Sequence, residues 1–371
     1  MTIKIQKGRI LIYRVYDIGE EVDLEKTEKL LSETPTARAK FRLKKINKNA
    51  VIVANEPLVV ALGPCSFSFG NEIYSFELSA KIWEFGAFSL TYEWTIPEGT
   101  SFDQLRTKAI IIHDEDEIDV HARLKARELA SQIQSSMGKL SEWEMNEDYL
   151  LYFIEKFEIP LEEASSILEN ENIAALILLE DNLELAPQIA ERIYESKLQY
   201  YKNDMTIIDW NSGLIIEPSG SMDIPDVIEY ALSQLLEMRY YDDLLDKKLR
   251  QIYSAIELKE MSIFSGRYTE LALDAGQKYI EIAEIVESVE NSLKVIGDMY
   301  HAVVFRTASK KFRFSDWQSS IDNKLENLVD ICKLLLDNIN SRRSQLMELI
   351  VIFLIGIELI PLFEHIQKFF K

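Results

Sequence analysis

The residues best equipped for chemistry in this chain crowd between His113 and His121, where two imidazoles and five carboxylates share nine positions (HDEDEIDVH). Histidine nitrogens with carboxylate oxygens suit a divalent cation, and a metal-dependent enzyme would be built on such a cluster. The spacing fits no common metal-binding motif. An acidic loop ahead of a helix starting near Asp119 accounts for the same residues, because carboxylates favour the positive end of a helix. His301 and His365 stand alone. Cys65 and Cys332 are far apart and in no redox or metal spacing, which suits a reducing compartment. No glycine-rich phosphate loop, nucleophile elbow or Cys/His pair occurs. The expectation is a protein without catalytic residues, cofactor or metal, with a metal enzyme at His113–His121 as the alternative.

A second group of charges has different uses. Arg38, Lys40, Arg42 and Lys44 alternate with Ala39, Phe41 and Leu43, so a strand here would carry four cations on one face. Such a face suits membrane lipid headgroups, each nearby cation being worth about 1 kcal/mol, or RNA. It equally suits a solvated strand that balances acidic helices elsewhere. Lys310, Lys311 and Arg313 form a second basic turn open to the same readings. The formal net charge is −21, yet residues 1–100 hold 13 Lys/Arg and 13 Asp/Glu, so the excess lies downstream. Between Ser141 and Glu195 only Lys156 and Arg192 are basic. The C-terminal two thirds should therefore repel a phosphate backbone, which leaves the N-terminal stripe for any RNA association.

These groups must be positioned by folded elements, and a chain of 371 residues with 47% hydrophobic and 28% charged side chains can bury a core in each of two or more domains. Strand chemistry fills the first hundred residues, at Arg9–Asp17, Val51–Leu62 and Glu72–Trp94, with turns or bulges at Gly70-Asn71 and Gly86. Asp23 is placed to cap a helix reaching Ser32, and Ser101 to cap another through Leu105 and Ile110. Residues 1–112 thus read as a small α+β layer. Residues 113–220 read as a mixed, acidic helical region, with a strand at Tyr149–Phe157 and a hairpin at Met205–Glu217 turning on Asn211-Ser212-Gly213. A long helix capped at Ser221–Asp226 opens the third region, 221–345.

That region carries two sharp patterns. Ala275, Tyr279, Ile282, Val286, Val289, Leu293, Ile296, Tyr300 and Val303 step by four and three, and so do Ile321, Leu325, Leu328, Cys332, Leu335 and Ile339. The expected geometry is a coiled-coil hairpin turned near Thr307–Ser315, its seam either closed within one chain as a bundle or shared between copies. Sharing would make the chain a homo-oligomer. Beyond the seam, Leu346–Phe363 (LMELIVIFLIGIELIPLF) holds only Glu348 and Glu358 as charges. Its apolar run, Leu349, Ile350, Val351, Ile352, Phe353, Leu354, Ile355 and Ile357, predicts a transmembrane helix over 346–363, close to the length that a core of about 30 Å requires. A buried helix in an oligomer core is the competing reading. The start, MTIKIQKGRILIYRV, lacks the apolar core of a secretory signal, so the body is expected to face the cytoplasm from a single C-terminal span.

The run Asn340–Glu358 (NSRRSQLMELIVIFLIGIE) resembles the C-terminal signature of the family named for a requirement in meiotic nuclear division: an arginine-bearing helix, leucine and glutamate, an isoleucine-rich run and a second glutamate. Asp226–Leu245, Phe314-Ser-Asp-Trp317 and Ile82–Leu90 are similar to further segments of that family. The resemblance implies an α+β body, a C-terminal membrane helix, self-assembly, a place near the ribosome in mitochondrial members, and no catalytic residues. The expected fold is therefore α+β, an N-terminal small sheet with helices and then a long helical bundle or coiled-coil hairpin ending in a transmembrane helix. The expected function is a membrane-anchored, self-associating scaffold whose partners are itself and membrane lipid.

Overall fold

The computed structural model describes residues 3–19, 21–33, 42–44, 56–70, 72–138, 145–181, 185–257, 273–277, 279–280 and 299–369. At 42–44, at 255–257, at several positions between 335 and 346, and beyond 355, the backbone alone is described. By contact density the chain forms two units, one of Met1–Tyr240 with Val289–Trp317 and one of Tyr241–Ser288 with Gln318–Lys371.

The first unit is built on one large sheet. Its strands are β1 (Lys4–Asp17), β2 (Arg42–Lys44), β3 (Leu58–Phe69), β4 (Glu72–Ile82), β5 (Ala87–Thr95), β6 (Thr100–Ser101), β7 (Asn146–Phe157), β8 (Met205–Ile208) and β9 (Ser212–Ile216). They lie in the order β2-β3-β4-β5-β1-β7-β9-β8, with β6 paired to β1, and every pairing is antiparallel except β7 with β9. Its helices are α1 (Leu24–Glu33), α2 (Phe102–Asp114), α3 (Glu117–Ile133), α4 (Ile167–Asn170), α5 (Ile173–Leu178), α6 (Pro187–Tyr194), the first half of α7 (Asp223–Glu257) and α8 (Met299–Lys311). The expected caps are present: the Asp23 carboxylate accepts from the Lys26 amide at 2.9 Å, and Ser101 and Gln104 form a capping box.

Alternation in the central strands explains the layering. On one face Ile10, Ile12 and Tyr16 of β1, with Leu150 and Tyr152 of β7, share a core with Leu105, Ala109 and Ile112 of α2 and Ala122, Ala126 and Leu129 of α3. On the other face Leu11, Tyr13 and Val15, with Leu151 and Phe153, are also fully buried. There the rings of Trp83 and Tyr149 meet Tyr230 of α7 and Phe312 just after α8. A sheet covered on both faces buries nearly every residue of its central strands, as β1 does. Gly213 is needed where β9 passes β7, since a Cβ there would stand 2.7 Å from the Tyr149 hydroxyl and 2.8 Å from the Ile207 carbonyl.

The second unit holds the later part of α7 and nearly all of α9 (Phe314–Phe369). Leu245, Leu249 and Ile252 of α7 and Ile321, Leu325, Leu328 and Ile331 of α9 are buried. Lys324 bridges Asp242 at 2.7 Å and Asp246 at 2.9 Å.

Two parts of the expected fold are corrected. The sheet is not a small N-terminal one: β7 and the hairpin β8–β9 join it, and the parallel pairing of β7 with β9 over a helical crossover makes it a large mixed sheet. Local periodicity identifies strands but carries nothing about partners so distant in the chain. The transmembrane helix also falls, because among the described residues no helix is long and apolar enough to cross a membrane. The side chains of Gly356–Phe363, Ile357 among them, lie outside the described residues. The membrane location with a single C-terminal span is corrected with it.

Candidate functional site

The structure separates the two histidines of the acidic cluster. His113 ends α2, while His121 lies in α3 facing the sheet, where its Nδ1 is 2.7 Å from the Tyr92 hydroxyl and its ring meets Phe67 edge-on. Burial lowers the His121 pKa, which favours a neutral ring that packs between aromatic neighbours. Asp119 turns instead to Arg14, whose guanidinium is buried on β1. Among the described residues no group of three or more His, Cys, Asp and Glu side chains is placed to hold a metal ion. Cys65 is a half-buried free thiol that burial pushes up to about 11, far from thiolate chemistry.

Of the basic stripe, Arg42 and Lys44 fall in β2, paired with Ala61 and Val59 of β3, and their side chains lie outside the described residues, as do Arg38 and Lys40 entirely. Lys311 is engaged by Asp209 at 2.9 Å and Arg313 by Asp316 at 2.7 Å.

The seam on α9 divides. Ile321, Leu325 and Leu328 are buried within the chain and Cys332 is half-buried, while the side chains of Leu335 and Ile339 lie outside the described residues. Of the partner seam, Ala275 is buried, Tyr279 and Val303 are partly exposed, Tyr300 is half-buried, and the positions from Ile282 to Ile296 lie outside the described residues. Further along α9 the environment reverses. Leu349, Ile350, Val351, Ile352, Phe353, Leu354 and Ile355 are each between 48% and 68% exposed. Seven consecutive residues cover two turns, so this helix presents apolar groups on every side. A helix of that composition is normally enclosed, and here its described side chains are exposed.

Sequence reasoning missed the charges buried between the sheet and α7. Lys81 donates to Asp226 at 2.7 Å and to Glu229 at 2.6 Å. Burial pulls the Lys81 pKa down, but the two carboxylates more than offset it, so the amine stays charged, while burial pushes Glu229 up. Farther along α7, Arg239 donates to Glu147 and lies 5.8 Å over the Trp317 ring. A signal existed: Asp226 and Glu229 sit three apart in the apolar run of α7, and acids on such a face need a cation.

A family model described as the N-terminal domain of the uncharacterized protein MJ0711 matches residues 7–223. The uncharacterized protein MJ0711 of Methanocaldococcus jannaschii is 26% identical to this chain over 234 residues, which is 63% of this chain and 71% of that protein. No solved structure matches. The resemblance to the meiotic nuclear division family is thereby corrected. Its most specific segment was Asn340–Glu358, a stretch outside the matched residues, where an arginine-bearing helix followed by isoleucine and leucine is a pattern that many apolar helices share.

Proposed function

The chain belongs to the family of the MJ0711 N-terminal domain, and from that premise we propose that it works by assembly rather than catalysis, as a scaffold that associates with further copies of itself through the C-terminal half of α9. The observation behind this reading is the exposed apolar run Leu349–Ile355. Burying a leucine, isoleucine or phenylalanine side chain is worth roughly 1.5–3 kcal/mol, so packing several of these residues against copies of the same helix outweighs the cost of association. Because the apolar groups surround the helix, several chains enclose it better than one flat partner does, which favours a helical bundle. The matched family region ends at residue 223, so the associating helix lies outside it.

Light scattering of the full chain tests this reading. The expected mass is a multiple of the 43.0 kDa chain. Replacing Leu349 and Phe353 together by aspartate should return it to one chain with unchanged sheet content by circular dichroism. A single-chain mass for the unaltered protein at micromolar concentration refutes the proposal.

A further inference from the structure

Three tyrosine rings gather at the open end of the β8–β9 hairpin, and two of them face solvent. The loop that runs into β8 carries Tyr200 and Tyr201, which are 62% and 66% exposed. Their ring centroids are 4.7 Å apart with the planes at 84°, and the Tyr300 ring in the first turn of α8 stands 5.2 Å from that of Tyr200 at 60°. The loop is pinned by its own end. Asp204 is buried, and its two carboxylate oxygens accept from the amides of Tyr200 and Tyr201 at 2.8 Å each, while its carbonyl accepts from the Gln199 side chain at 3.1 Å. A single exposed ring is ordinary, but two adjacent rings held out by a buried carboxylate form an ordered aromatic surface. Asp204 and Glu217 flank the last register pair of the hairpin, Met205 with Ile216, so a second carboxylate lies at the same end of the strands. Burial pushes the Tyr300 hydroxyl up to about 12, and the charges of Asp204 and Glu217 add to that shift.

We propose that Tyr200, Tyr201 and Tyr300 form an aromatic corner that binds an N-methylated ammonium group, the head of a choline-like molecule or of a trimethylated lysine side chain. Rings set nearly at right angles turn two faces onto one space, and the negative face of each ring attracts a cation placed within about 6 Å of its centroid. Among the described residues no lysine or arginine of this chain lies over Tyr200 or Tyr201. Asp204 supplies negative charge nearby, yet both its oxygens already accept amide hydrogens. A primary ammonium would bring three N–H donors to this corner and lose water from them with the Asp204 oxygens engaged, whereas a trimethylated nitrogen has no donor to satisfy. The corner therefore favours charge without hydrogen bonding. Lys202, exposed beside Tyr201, opposes a cation here. The three rings belong to the sheet unit, and their role does not depend on the self-association of α9.

Ligand-observed NMR on the full chain measures the affinity for choline and for its uncharged isostere, the alcohol in which a tert-butyl group replaces trimethylammonium. Choline should bind about five to thirty times more tightly, the gain of a cation shared by two partly exposed rings. Tyr200→Leu and Tyr201→Leu, both at exposed positions, should each weaken choline by about threefold to tenfold and leave the isostere within about twofold. Tyr200→Phe keeps the ring and should bind choline as the unaltered chain does. Removing the like charge with Lys202→Gln should tighten choline by up to about twofold. A peptide carrying trimethyllysine should bind better than its unmethylated form, and its affinity set against that of choline assigns a polypeptide or a free molecule as the source. The isostere comparison needs only the unaltered chain, so it decides even where a variant fails to fold. Equal affinity for choline and its isostere, unchanged choline affinity in both leucine variants, weaker choline binding by Lys202→Gln, or no choline binding at about 50 mM overturns the proposal.

Discussion

Two stretches of helix in this chain are apolar around most of their circumference, and they meet opposite surroundings. Residues 227–238 of α7 are all buried, down to Glu229, Ser233, Gln234 and Glu237. Leu349–Ile355 of α9 are all exposed. The first stretch lies in the sheet unit, where the second sheet face and α8 enclose it, and where Glu229 accepts from Lys81 and Ser233 donates to the Tyr230 carbonyl. The second has no polar side chain needing a partner, and the described residues do not enclose it. Enclosure within one chain requires that buried charge be matched locally, whereas a helix enclosed by copies of itself needs only shape and apolar area. Under the proposed assembly, the scarcity of charge in Leu349–Ile355 and its presence in 227–238 follow from that distinction.

The sharpest way to break the enclosed stretch is to remove its cation. Lys81→Met leaves Asp226 and Glu229 without the amine that both accept from, and stripping one partner from a buried ion pair costs about 3–5 kcal/mol. Denaturant unfolding of the variant should show that loss. A cost under about 1 kcal/mol would mean that the carboxylates are accommodated without Lys81, and the contrast between the two helices would lose its electrostatic half.

How far these surroundings could be read from the residues differs between the two stretches. The apolar stripe Ile228, Ala231, Leu235 marks α7 as a helix with one buried side, and Asp226 and Glu229 in that run signal a cation without saying which. The burial of Glu229 depends on a sheet face assembled from β4, β5, β1 and β7, and on Lys81, which lies on the polar side of an alternating strand. No local pattern connects these elements. The apolar character of Leu349–Ile355 was plain, but composition cannot distinguish lipid from protein as its surroundings, and the membrane reading came from length, scarcity of charge and a resemblance that did not hold. The strands themselves were legible at β1, β4, β5, β7 and the β8–β9 hairpin, since runs of β-branched and aromatic residues bounded by turn signals mark them. At His113–His121 the residue types suggested a ligand set, yet a break puts His113 in the last turn of α2 and His121 in α3, and spacing alone could not foresee that break.

A smaller effect separates the two ends of α9. Leu328 is fully buried in the helical unit, so Leu328→Ala should cost about 2–3 kcal/mol, the lower part of the range for such truncations if neighbouring side chains close part of the cavity. The loss should appear in the unfolding of the unaltered-length chain at any protein concentration, because Leu328 is covered from within. A loss that appears only at low concentration would mean that Leu328 belongs to an interface between copies, and α9 would then be an association surface along its whole length.

The smallest expected effect on the fold itself belongs to Ile352, and it discriminates best. Ile352 is 62% exposed, and a polar replacement at an exposed site usually changes the stability of a single chain by less than about 0.5 kcal/mol. If copies of α9 enclose this residue, however, the folded assembly is favoured by mass action and the unaltered protein should melt at a higher temperature as its concentration rises. Ile352→Gln should remove most of that concentration dependence while leaving the midpoint of the dilute protein where it was. The two measurements make opposite demands on one residue, since a side chain that only faces solvent would alter neither and one that packs inside the chain would lower both. Melting curves over a hundredfold range of concentration, for the unaltered chain and for Ile352→Gln, therefore decide which surroundings Leu349–Ile355 has: a concentration-independent midpoint in the unaltered chain removes the second helix from the comparison and the proposed assembly with it.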